Sequence, residues 1–169
     1  AGEHMTGAEL SSTCTLQLNA GQEATVHTLG NALKTILPST YRVVTPELVE
    51  EVLRYDPPLH VFTRHAYKDI DCFGIKIKNG QEVACLLAAA NRDPNFVEDP
   101  NHFDPFRKPS QHQSFGAGLH FCVGAPLARL EITTGLQTLF ERRPDLQIAV
   151  SPKYAETYHF HGLTELIVR

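Results

Sequence analysis

Apolar residues return every three to four positions along the first part of the chain. Leu29, Leu33, Ile36 and Leu37 keep helical spacing, with Leu18 and Val26 on nearby positions, so 7–36 reads as one long helix. Thr6-Gly7-Ala8-Glu9 fits a capping box at its start, and Pro38 stops it. Gly21 lies mid-helix, where glycine costs about 1 kcal/mol relative to alanine. Its place there fits either close packing against another helix or a local opening where a ligand approaches. A second helix starts at Thr45-Pro46, runs through "ELVEEVLRY" and ends before Pro57-Pro58. Over 59–87 the pattern becomes short, β-prone and divided by glycine, with Asn79-Gly80 as a hairpin signal, so a small antiparallel sheet is expected. A proline-rich irregular segment, "ANRDPNFVEDPNHFDPFRKPSQHQ", follows, and a loop that long inside a domain usually has a task. A third helix is expected over 124–142, with Ala128, Ile132, Leu136, Leu139 and Phe140 as its apolar face. Pro126 is tolerated in its first turn and Pro144 follows its end. "LQIAVS" and "ELIVR" read as two closing strands. The class is mainly α with small antiparallel β-sheets, an α+β arrangement.

Composition narrows this picture. The 169 residues form one domain with a real core, and 42% apolar with 20% charged residues describe a globular chain. A net charge of -4 gives no basic signature for nucleic acid. No run of about 18 apolar residues is present to span a membrane. No signal peptide is visible, so the cytoplasm is the expected compartment. The chain opens on Ala1 and its only methionine is Met5, which reads as a cut inside a longer protein or a processed chain.

Four cysteines are present, Cys14, Cys72, Cys85 and Cys122, with no C-x-x-C pair to mark a structural zinc site. The first three read as buried small hydrophobes in a reducing compartment. Cys122 differs. It sits just before the third helix among Gly116, Gly118 and Gly124, with Phe115 and Phe121 beside it. A helix N-terminus favours the anionic form of a thiol placed there, and the glycines allow a flat ligand close to the backbone. The residues alone leave three readings open: an axial ligand to haem iron, a catalytic nucleophile, or an inert thiol. Glu51 and Arg54, three apart on the second helix, read by spacing alone as a surface ion pair.

The run Phe115-x-x-Gly118-x-x-x-Cys122-x-Gly124 resembles the haem-binding signature of the cytochrome P450 family. "AGQEAT", positions 20–25, resembles the oxygen-binding stretch of its distal helix, and Glu51-x-x-Arg54 the invariant pair of its K helix. "AANRDPNF" and "NHFDPFR" resemble its meander, and "GAPLARLE" its proximal helix. The resemblance covers essentially the whole chain and is closest to soluble bacterial members. It implies that 1–169 is the C-terminal haem-binding portion of the fold, carrying the distal, K and proximal helices. It implies haem b held by Cys122, with Arg64 and His120 on the propionates and Phe115, Gly116, Gly118 and Gly124 shaping the loop. Glu51 and Arg54 become a buried pair supporting that loop, with His102 where many members have arginine. Ala20, Gly21, Glu23 and Thr25 become the distal stretch.

The implied activity is monooxygenation of a mostly apolar small molecule. NAD(P)H supplies the electrons through a ferredoxin-type donor and its reductase. Arg107, Lys108 and Arg129 are the candidate docking charges. The substrate-facing pieces would be 16–20, 59–63 and a turn at 157–159. Two departures from the family stand out. Where the family places threonine after the acid, this chain has Glu23 then Ala24, and Thr25 lies about 100° further round the helix. The connection between the distal and K helices is also shorter than in the family. Two other readings remain: a fragment that binds haem or nothing without turnover, and a cysteine-nucleophile hydrolase, for which no His-Asp constellation surrounds Cys122.

Overall fold

The computed structural model describes residues 4–109, 111–157 and 159–169. Helix α1 runs Gly7–Ile36. Thr6 accepts from the Glu9 backbone N–H at 3.3 Å while the Glu9 carboxylate takes the Thr6 N–H at 2.7 Å, so both halves of the capping box form. Helix α2 is Pro46–Tyr55, capped by the Thr45 hydroxyl on the Leu48 N–H. Helix α4, Ala125–Arg142, follows a four-residue α3 at Leu87–Ala90. The core lies where the C-terminal end of α1 meets α2 and α4. Ala32, Ile36, Leu48, Val49, Val52, Leu53, Ile132, Leu136 and Phe140 are all buried there. The N-terminal half of α1 contributes nothing to that core: Leu10, Leu16 and Leu18 are exposed.

The β region departs from expectation. Strand β1, Val61–His65, pairs antiparallel with β4, Glu82–Leu86. Between them β2, Ile70–Cys72, pairs with β3, Ile75–Ile77, as a separate hairpin. Its two-residue turn is Phe73-Gly74, with φ of 52° and 83°. Both are positive, as a primed turn requires, although a bulky aromatic gives no such signal in sequence. Asn79-Gly80 turns the chain from β3 into β4, which do not pair. Asp69 fixes that turn by accepting from the Asn79 N–H at 2.9 Å, and the Gly80 N–H reaches the Ala66 carbonyl at 2.7 Å.

The two closing strands reduce to single bridges. Ile148 faces Val168, with Gln147 and Arg169 exchanging backbone hydrogen bonds at 3.0 and 2.9 Å. Pro152, lacking an N–H, stands beyond them. Two further bridges, Tyr154 with Leu163 and Leu59 with Phe160, bring the C-terminal segment against the start of β1. At Gly162 the backbone closely approaches a ring of α1: a Cβ there would stand 1.8 Å from His27 Nδ1.

Two sequence expectations need correction. Cys14 on the front of α1 and Cys72 on the β2–β3 hairpin are exposed, and Cys85 on β4 is half-buried, so none of the three is the fully buried small hydrophobe expected. Gly21 does not serve a close packing: α1 runs through it, and a Cβ there would meet nothing within 4 Å among the described residues. Ser110 in the irregular segment and Tyr158 in the expected substrate-facing turn lie outside the described residues. No helix among the described residues is long and apolar enough to cross a membrane.

Candidate functional site

Phe115, Gly116, Gly118, His120, Cys122 and Gly124 form one closed loop ahead of α4. The Cys122 N–H donates to the Phe115 carbonyl at 2.9 Å, and a 3-10 turn, Gly118–His120, fills the loop between them. Gly116 and Gly118 have φ of 69° and 70°, a backbone region that side-chain-bearing residues adopt at a cost. The Cys122 carbonyl accepts the Ala125 N–H at 3.2 Å, which couples the loop to the first turn of α4. No side chain among the described residues caps that helix start. Cys122 is a free, exposed thiol. Around it Leu119 and Val123 are 94% and 92% exposed and Phe121 is 49% exposed, so the thiol sits in an uncovered apolar apron.

The loop is held from behind by α2. Glu51 and Arg54 are each 1% exposed. Arg54 uses every N–H it has: Nε and Nη2 donate to the two Glu51 oxygens at 2.7 and 2.8 Å. The remaining bonds go to the carbonyls of Asn91 (3.1 Å), Pro100 (2.9 Å) and His102 (3.3 Å). Glu51 is completed by the Asp104 N–H at 2.9 Å and by Arg107 Nε at 3.1 Å. The irregular segment is therefore folded around a buried ion pair rather than by its own regular hydrogen bonds. Asn91 carries the connection onward. Its Nδ2 donates to the Arg54 carbonyl and the Ser114 hydroxyl at 3.2 and 2.8 Å, and its Oδ1 accepts the Gln113 N–H at 2.6 Å. Ser114, the residue before Phe115, in turn donates to the Leu53 carbonyl at 2.6 Å.

A second carboxylate supports the same loop from the side. Arg129 grips Glu50 at 2.5 and 2.9 Å, and His112 Nε2 lies 3.2 Å from Glu50. The Arg129 guanidinium also lies over the Phe115 ring, 4.7 Å from its centroid. Burial works to raise the Glu50 pKa, but the hydrogen bonds and charges of Arg129 and His112 prevail and hold it down at about 2.

This network corrects the sequence reading. The third member beside Glu51 and Arg54 is Arg107, while His102 supplies only its carbonyl. "NHFDPFR" ends on that arginine, so its signal was present. Arg107 and Arg129 are consumed in ion pairs, which leaves Lys108 as the exposed cation of the three. Asn91, Ser114, Glu50 and His112 had no sequence signal, since their partners are remote in the chain.

The other candidates lie on separate elements. Arg64 projects from β1, exposed, over the Phe62 ring. On α1, Ala20, Gly21 and Glu23 are exposed, and Glu23 lies 3.8 Å from His27 Nε2. Neither Arg64 nor this stretch of α1 hydrogen-bonds to the cysteine loop among the described residues. Thr25 donates to the Gly21 carbonyl and to Glu131 Oε2 on α4, both at 3.1 Å, so its hydroxyl is directed to the α1–α4 contact.

The structure thus joins a free thiol in a glycine loop at a helix start to a buried Glu51–Arg54 pair that Arg107 completes. The family model described as Cytochrome P450 matches residues 42–143. This chain belongs to the cytochrome P450 family. The biotin biosynthesis cytochrome P450 of Bacillus subtilis is 39% identical over 175 residues, covering 98% of this chain and 44% of that protein. Cytochrome P450 monooxygenase PikC of Streptomyces venezuelae is 38% identical, covering 89% of this chain and 38% of PikC. Among solved structures, P450BioI in complex with an acyl carrier protein ligated to hexadec-9Z-enoic acid has a TM-score of 0.91 at 39% identity. It is matched over 99% of this chain and 46% of that one. CYP109E1 from Bacillus megaterium in complex with testosterone has a TM-score of 0.92 at 34% identity, over 99% and 49%. The chain thus spans less than half the length of these relatives.

Cytochrome P450 proteins carry haem and receive electrons from a redox partner. The residues present fit such a group. The uncovered apolar apron around Cys122 suits a flat apolar face, the exposed thiol suits a soft metal ligand, and Arg64 and His120 are exposed cationic or proton-bearing groups of the kind that hold carboxylates.

Proposed function

We propose that residues 1–169 are the C-terminal haem-binding portion of a cytochrome P450 monooxygenase acting on a mostly apolar small molecule. The observation that carries this reading is Cys122, a free thiol in an exposed apolar apron at the start of α4. Haem b, when bound, supplies the iron chemistry that activates O₂ and inserts one oxygen atom into an organic substrate. Cys122 would hold the iron as thiolate. Arg64 and His120 would pair the propionates, and Phe115 and Phe121 would keep water from the sulfur side. Glu23 would hold and pass a proton on the distal side. Ala24 offers no hydroxyl there, and the Thr25 hydroxyl is engaged with Glu131. Electrons would come from NAD(P)H through a ferredoxin-type protein and its reductase, in the cytoplasm, with exposed Lys108 near the docking face. The ligands named for P450BioI and CYP109E1, a fatty acyl chain and a steroid, are both largely apolar and support that substrate class.

The decisive experiment is the reduced carbon monoxide difference spectrum of the haem-loaded chain. Wild type should give the red-shifted thiolate band and Cys122→Ser should lose it; an unchanged band in the variant removes Cys122 from the iron. For the distal side, Ala24→Thr should change the product formed per NAD(P)H consumed in the intact enzyme. Thr25→Ala should leave coupling unchanged, and an uncoupled Thr25→Ala returns the proton role to Thr25.

A second reading is that these residues bind haem without turnover. It is favoured by the exposed Leu10, Leu16 and Leu18 of α1, apolar side chains that nothing among the described residues covers. A thiolate spectrum without product on addition of an electron donor would select it.

A further inference from the structure

Away from the cysteine loop, a second set of polar side chains converges from three elements. Asp56 ends α2, His60 precedes β1, and His161 lies in the C-terminal segment. One ligand atom from each lies within 4.8 Å of the others, and all three side chains are half-buried. His161 Nε2 is 3.2 Å from Asp56 Oδ1. The His60 and His161 rings stack at 4.1 Å, and Tyr154 stacks on the far side of His161 at 3.9 Å.

We propose that Asp56, His60 and His161 form a binding site for a divalent first-row metal ion of the Zn²⁺ type. Two imidazoles and a carboxylate are the donor set such ions select, and three protein ligands leave a position for water. Ligand bonds of about 2.0–2.2 Å set tetrahedral neighbours about 3.3 Å apart, so donor atoms now within 4.8 Å of one another must draw together and reorient. The ring of His60 must swing out of its stack to share the ion with His161.

The backbone under these side chains is already fixed. The buried amide of Asn31 donates to the carbonyls of both Asp56 (3.2 Å) and His161 (2.9 Å). The His161 N–H donates to the Pro58 carbonyl at 2.7 Å, and the Leu59–Phe160 bridge aligns the two segments beside it. The Tyr154 hydroxyl donates to Asp56 Oδ2, which leaves Oδ1 toward His161. Carboxylates oriented by such outer partners make better metal ligands. Asn31 and Tyr154 therefore take the outer positions. The ion would tie the ends of α2 and β1 to the C-terminal segment, and its site draws on none of the residues assigned to haem.

The test is titration of the folded chain with Co²⁺, whose absorption distinguishes nitrogen and oxygen ligands from thiolate. Wild type should bind one equivalent with visible ligand-field bands and no sulfur-to-cobalt charge-transfer band. His60→Gln and His161→Gln should each weaken binding at least tenfold, and His65→Gln, an exposed histidine on β1, should not. Wild type that binds no Co²⁺ overturns the proposal, as does binding unchanged in His60→Gln and His161→Gln. A charge-transfer band that assigns the ion to one of the free cysteines overturns it too. If circular dichroism shows that His161→Gln has unfolded, His60→Gln decides alone.

Discussion

Glu50 and Glu51 are neighbours on α2, about 100° apart around the helix, and the fold treats them differently. Glu51 faces inward with four donors on its two oxygens and 1% exposure. Glu50 is 19% exposed and held by Arg129 and His112. Both end at the cysteine loop, one through Asn91 and Ser114, the other through Arg129 on Phe115. The inner pair organises a segment that has almost no regular structure of its own. The outer pair braces a segment already in place. Burying a charge makes sense where one group must gather many carbonyls and N–H groups at once; a half-exposed pair suffices where a single ring needs support.

The contrast predicts a graded series. Glu51→Ala leaves Arg54 buried without its counter-charge and should cost about 3–5 kcal/mol in denaturant unfolding. A loss under about 1 kcal/mol would mean that the irregular segment holds itself. Glu50→Gln should cost less, about 1.5–3 kcal/mol, since it loses charge-assisted hydrogen bonds at a partly solvated site. Its pH dependence sharpens the distinction. The Glu50 carboxyl is held at about 2 in the folded chain against an ordinary 4.5, so its contribution is complete above pH 4.5. That contribution fades as pH falls from 4.5 toward 2. The difference in melting temperature between wild type and Glu50→Gln should therefore shrink across that interval. A difference constant down to the bottom of that interval would assign the effect to shape rather than charge. At the bottom of the series, Arg143→Ala removes the exposed pair with Asp145 and should change stability by less than about 0.5 kcal/mol. A larger loss there would erase the gradient between buried and exposed pairs.

Much of this was readable from residue order alone where the determinants are local. The capping box at Thr6 and Glu9, the Thr45-Pro46 start, and the proline boundaries gave helix limits that the structure repeats. The cysteine loop was readable because its glycines, aromatics and thiol fall within about ten positions. Long-range pairing was not readable. Nothing near Asn79-Gly80 says that β1 passes over the inner hairpin to reach β4, and Phe73 gives no turn signal because its positive φ opposes its bulk. Spacing likewise placed Glu51 and Arg54 on a surface, since a three-residue interval fixes a helix face but not what covers it. Asp56, His60 and His161 share no interval that marks a metal site, and long-range contacts such as the bridge at Leu59 and Phe160 and the Asn31 amide bring them together.

Gly162 and His27 constrain the order in which this sequence can change. With a Cβ at 162 falling 1.8 Å from the imidazole of His27, no residue larger than glycine enters that position while the ring is there. A Cβ at 162 enters most easily once the side chain at 27 has been shortened or turned away. The reverse order passes through an overpacked intermediate, at a cost of about 1–3 kcal/mol. The two positions are therefore an epistatic pair with a direction. A mutational scan of 162, run once in the wild-type background and once in the His27→Ala background, would read that direction as two different sets of tolerated residues.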